Sequence, residues 1–192
     1  SFSSKIFVAI KDSKTKFVIL CNDDDFISFS GLKKGINFLN KNKKYSSYQG
    51  EFISFRKLEK LNLITFLGAY VDTLKYNLNF NQKKKLDRID SIYLKRPHWY
   101  NALHYRTNLK KSFEIAKKGK NIHFSEIIIP LIIGSKGFVK NSNYFWYAKD
   151  SNVYKSVEVV AQDKHKKMLE EITNYKTNIR KEVDKFMVNE FS

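Results

Sequence analysis

The chain has 192 residues, 42% of them hydrophobic and 15% aromatic, which excludes a disordered polypeptide and suffices for one domain with a buried core. Seven glycines and two prolines leave no low-complexity linker, and a single cysteine excludes an internal disulfide framework and suits a reducing cytosol. The formal charge of +17 has two readings, a basic surface for nucleic acid or anionic lipid, or compositional drift in a chain rich in Lys, Asn, Ile, Phe and Tyr; the lysines are scattered and favour drift.

Ser3–Ser13 (SSKIFVAIKDS) places Ile6, Phe7 and Ile10 at helical spacing, with Ser3 or Ser4 able to cap. Lys16–Cys21 (KFVILC) is a continuous apolar run that predicts a strand buried on both faces, as in a parallel sheet, with Cys21 as core filler. It ends in Asn22, Asp23, Asp24 and Asp25. Three adjacent carboxylates repel unless a cation neutralises them, and an all-oxygen set suits Mg²⁺ or Mn²⁺. The competing reading is a solvated acidic turn in which Asp25 only caps or kinks the chain.

Ser30 is the expected cap of a helix over Gly31–Asn40 with Leu32, Ile36 and Leu39 on one face. Tyr45–Phe55 alternates as a strand, with Tyr48, Phe52 and Phe55 prominent. Gly50 within it either lets backbone approach a ligand or marks a bulge. Phe66–Tyr76 reads as strand or helix, and Asn81–Ile92 as a surface helix carrying Leu86 and Ile89. Pro97–Arg106 alternates as a strand. Within it Trp99 suits a core, His98 and His104 are either ordinary or functional, and the Arg106 guanidinium fork suits phosphate or carboxylate. Asn108–Lys118 predicts a helix through Leu109, Phe113 and Ala116. Ser125 is the expected cap of a helix starting at Glu126, which Pro130 would strain. Lys140–Lys149 closes the sheet as strand or loop, and Ser156–Phe191 predicts a C-terminal helix.

Four stretches together resemble a known family: Ile19–Phe26 (ILCNDDDF), Gly31–Leu39, Tyr45–Phe55 (YSSYQGEFISF) and Asn121–Phe138 (NIHFSEIIIPLIIGSKGF). They are similar to inverting family 2 glycosyltransferases of the GT-A fold, in the bacterial branch with an "ADDDF"-like motif. The resemblance implies an α/β chain with a Rossmann-like mixed sheet flanked by helices. Residues 1–150 would be a partial glycosyltransferase domain whose nucleotide-binding segment lies upstream in a longer protein, and residues 151–192 a helical extension.

By the same resemblance Asp23, Asp24 and Asp25 would hold Mn²⁺ or Mg²⁺ on the diphosphate of a nucleotide-sugar donor. Asp24 matches the second acid of the family's D-x-D motif, and Asn22 stands where the first is usual. Gln49 and Gly50 would neighbour the donor sugar. Trp99, His104 and Arg106 would line an acceptor site, and Lys149 would touch the diphosphate. Glu126 would be the catalytic base, with Ser125 in place of the family's preceding acid. The implied activity is sugar transfer with inversion to a glycan or lipid-linked acceptor, in cell-surface polysaccharide or lipopolysaccharide synthesis, in the cytoplasm or peripheral to an anionic membrane; nucleic acid is not an expected partner. The alternative from charge alone is a nucleic-acid or membrane-surface module without catalysis.

Overall fold

A computed structural model describes residues 2–58, 63–66, 78–95, 99–119 and 122–150. The expectations for residues 67–76, His98 and the C-terminal extension 151–192 lie outside them. The elements in chain order are α1 (Phe2–Asp12), β1 (Phe17–Val18), β2 (Phe26–Ile27), α2 (Phe29–Lys41), β3 (Tyr45–Leu58), β4 (Leu63–Phe66), α3 (Lys85–Lys95), β5 (Leu103–Tyr105), α4 (Arg106–Ala116), α5 (Ile122–Lys136) and β6 (Phe138–Asp150). Among these, no helix is long and apolar enough to cross a membrane.

Six strands form one mixed sheet in the order β1-β5-β3-β6-β2, with β4 paired to the end of β3. β3 and β6 run parallel, and every other pairing is antiparallel. The chain is therefore α/β, with helices on both sheet faces. On one face α2 packs over Tyr48, Phe52, Leu103, Trp146 and Tyr147. On the other, α1, α3, α4 and α5 enclose a core that includes Ile10, Ile92, Trp99, Phe113 and Ile128. Each such side chain contributes roughly 1.5–3 kcal/mol by leaving water.

The Tyr45–Phe55 strand and the helices of residues 2–12 and 106–116 match the sequence pattern. The first strand does not. Only Phe17 and Val18 pair, antiparallel to β5 at the sheet edge. The apolar run is nevertheless used on both faces: Val18 and Leu20 pack on the many-helix side, Phe17 and Ile19 on the α2 side. Cys21, expected inside, is exposed, because the chain has already left the sheet. Residues 19–25 carry it from β1 at one edge to β2 at the other.

Ser28, not Ser30, caps α2: its Oγ accepts from the Gly31 N–H at 3.1 Å, since β2 ends one residue earlier. The seated face of α2 is Gly31, Gly35 and Leu39, while Ile36 is exposed. A methyl on Gly31 would come within 2.8 Å of the Phe145 carbonyl oxygen, and one on Gly35 within 2.8 Å of the Tyr48 ring. The helix approaches too closely for larger side chains there. In α3, Ile89 and Ile92 are buried with Arg88, and Leu86 is exposed. Residues 99–102 form a turn rather than a strand, leaving β5 three residues long. α5 begins at Ile122 rather than Glu126, so Ser125 lies inside the helix, not at its cap. Pro130 is interior and lacks one helical N–H. Near-complete burial from Ile128 to Ile133 offsets that loss.

Candidate functional site

The acidic segment is built from local necessity. After β1 the chain turns at Asn22–Asp25, closed by an Asp25 N–H to Asn22 carbonyl bond of 3.4 Å. Asp23 and Asp24 occupy the turn and are exposed, whereas Asp25 is 8% exposed and faces inward. Its Oδ2 accepts from the Tyr147 hydroxyl at 2.6 Å and from Asn22 Nδ2 at 2.7 Å. An aspartate in place of Asn22 would set two carboxylates against each other, so the amide at that position has a physical reason.

The Tyr147 oxygen in turn accepts from Asn101 Nδ2 at 2.8 Å and from the Asn22 backbone N–H at 3.4 Å. Asn101 Nδ2 also donates to the Leu20 carbonyl at 2.9 Å, and the Asn101 carbonyl accepts from Trp146 Nε1 at 2.6 Å. The crossing segment is thus held at Leu20, Asn22 and Asp25 by two side chains from β6 and the turn before β5. Burial, and then the hydrogen bond to Asp25, push the Tyr147 hydroxyl well above its ordinary range, so it stays a donor. Cys21 is exposed as a residue, and partial desolvation, then the charges of Asp25 and Asp24, raise its thiol against a lowering hydrogen bond to Tyr147.

The same turn meets the second candidate. Tyr100, next to Asn101, is largely buried against Phe113, and burial followed by the charge of Glu126 raises its hydroxyl. Ser125 is its other polar neighbour on α5, and Ser125 Oγ lies 2.7 Å from Ser3 Oγ of α1. Neighbouring residues of the 99–102 turn are therefore linked to both candidates: Asn101 by hydrogen bond to the Tyr147 hydroxyl that holds the acidic turn, and Tyr100 by the charge of half-buried Glu126.

Of the remaining candidates only Lys149 lies beside the acidic turn. Trp99 is wholly buried, edge-on to Phe80, and is a core residue instead of the expected acceptor wall. His104 is likewise wholly buried, with Nε2 2.8 Å from the Trp99 carbonyl and Nδ1 without a partner; burial lowers it to about 4. Gln49 and Gly50 are buried in β3. A methyl on Gly50 would overlap the Tyr144 carbonyl and come within 2.9 Å of Trp146 Cβ, at a register shift between β3 and β6. Gly50 marks a bulge, not an approach to ligand. Arg106 opens α4 and donates from Nε to the Thr15 carbonyl at 3.0 Å, tying down the α1–β1 connection. Lys149 lies in β6 opposite Ser54, two residues beyond Tyr147 on the same sheet face and one step past the Phe26–Ala148 pair, which places it beside the acidic turn.

Tyr147 and Asn101, which organise the acidic turn, were not foreseen. The available signal was a tyrosine inside an apolar strand run, since a buried hydroxyl requires a partner. As for a metal, Asp25 is committed to internal bonds and leaves Asp23 and Asp24 facing solvent. Among the described residues no group of three His, Cys, Asp or Glu converges. Two exposed carboxylates fit an ion held through one or two carboxylates plus substrate phosphates, and do not fit an all-protein cage. Comparison with protein-family models and with curated proteins returns no match.

Proposed function

We propose that the chain is part of a GT-A-type glycosyltransferase that moves a sugar from a nucleotide-sugar donor to an acceptor hydroxyl with inversion. The observation that supports this reading best is the Asp25–Tyr147–Asn101 network. It costs buried polar groups to hold an acidic turn just before β2, beside the carboxyl ends of the parallel strands β3 and β6, the end at which α/β sheets take ligands. A solvated turn with no task needs no such anchorage.

In this reading Asp23 and Asp24 hold Mn²⁺ or Mg²⁺, which when bound supplies neutralisation of the leaving diphosphate. Asp25 positions the turn. Glu126, whose charge reaches Tyr100 of the 99–102 turn, takes the proton of the acceptor hydroxyl as its oxygen bonds the anomeric carbon on the face opposite the departing diphosphate. The test is calorimetric titration of the full chain with Mn²⁺ plus UDP or GDP. Nucleotide binding that requires the metal and is lost in Asp24→Ala is the expected result; metal-independent binding, or binding unchanged in Asp24→Ala, would refute the assignment.

A further inference from the structure

A groove of about 670 Å³ opens beside the C-terminal half of α2, against β3 and the first half of β6. Lys34 and Lys41 of α2 and Lys140 of β6 line it, and none of its described lining residues is acidic. Asn37 and Asn143, both exposed, add amide donors and acceptors at its rim. The floor is fixed by the Tyr48 hydroxyl, which donates to Ser142 Oγ at 2.8 Å. Lys34 Nζ sits 3.0 Å from the centroid of the Tyr144 ring. The volume lies in the range of small-ligand pockets, ~300–1,000 Å³.

We propose that this groove binds an anionic carbohydrate, such as an oligosaccharide bearing phosphate, sulfate or carboxylate groups. Three ammonium groups with no carboxylate among them call for negative charge in the ligand. The amides call for hydroxyls, which a sugar presents at every ring position and can both donate and accept. A single-stranded nucleic acid would instead need several open aromatic faces for base stacking; among the described lining residues Tyr144 is the one exposed aromatic, and Lys34 covers one of its faces. Neither the acidic turn nor Glu126 takes part, so saccharide binding and metal-dependent nucleotide binding fail separately.

The experiment is calorimetric titration of the full chain with a heparin-derived tetrasaccharide, with maltotetraose as the neutral counterpart and a short oligothymidylate as the nucleic-acid counterpart. Because the chain carries +17, bulk charge must be separated from the groove. Two variants of equal charge do so: Lys34→Gln/Lys41→Gln/Lys140→Gln in the groove, and Lys11→Gln/Lys14→Gln/Lys118→Gln outside it. The expected result is saccharide affinity weakened ~10-fold or more in the first and less than about threefold in the second, with weaker binding of both counterparts. If the first variant melts early, Lys140→Gln alone replaces it, with an expected loss of about threefold. Equal losses in the two variants, no acidic-saccharide binding, equal affinity for maltotetraose, or tighter oligothymidylate binding that depends on the groove lysines would each overturn the proposal.

Discussion

His104 gives the fold a built-in sensitivity to acid. It lies on β5, which pairs with β1 and β3, and its ring is wholly buried, donates from Nε2 to the Trp99 carbonyl at 2.8 Å, and leaves Nδ1 without a partner. A second proton on Nδ1 would be a buried charge with nothing to receive it, and burial accordingly lowers the group from 6.5 to about 4. The sign follows from proton counting. Above pH 6.5 neither folded nor unfolded chain protonates this ring, and it leaves stability unchanged. Below 6.5 the unfolded chain binds a proton that the folded chain refuses until about pH 4, so stability falls across that window and levels off below it. Each pH unit of the gap is worth about 1.4 kcal/mol, which makes the loss about 3 kcal/mol at pH 4. That is a large part of the stability of an ordinary domain. Carboxylates titrate in the same range, so the measurement is a difference: urea unfolding from pH 7 to pH 4 of the natural chain and of His104→Gln. Glutamine keeps an N–H for the Trp99 carbonyl and cannot ionise. The natural chain should lose about 3 kcal/mol more than the variant over this interval. Parallel curves would refute the reasoning, whatever the variant's absolute stability at pH 7.

Gly50→Ala drives a methyl into the Tyr144 carbonyl and against Trp146 Cβ, both held by the β3–β6 pairing, and should destabilise by ~1–3 kcal/mol in thermal or urea unfolding. Tyr147→Phe removes the donor to Asp25 and the acceptor for Asn101 inside the core; a loss of ~1–3 kcal/mol is expected in urea unfolding, and an unchanged midpoint would mean the network is not holding the crossing segment. Glu126→Gln should lower sugar transfer by ~10²–10⁴ while metal-dependent nucleotide binding persists; near-normal turnover would place the base elsewhere.

What the sequence determined by itself was local. The spacing of Ile6 and Ile10, or of Leu109, Phe113 and Ala116, fixes a helix and its inner face, because both depend only on the 3.6-residue turn. The alternation in Tyr45–Phe55 fixes a strand for the same kind of reason. The acidic cluster and its place after an apolar run were equally visible, and so was the need to cover both faces of that run. Partners and depth were not. Whether the run at Phe17 is a central or an edge strand depends on which chain pairs with it, and β5 is contributed by residues far downstream. Asp25 is buried and Asp24 exposed only because Tyr147, 122 residues away, reaches one and not the other. Trp99 and His104 look like binding residues in a polar, aromatic stretch; the helices α3, α4 and α5 close over that stretch and make them core. On α2 the glycines form the packed face and Ile36 faces outward, because the limit on side-chain size comes from the sheet beneath the helix and is not written in the helix's own periodicity.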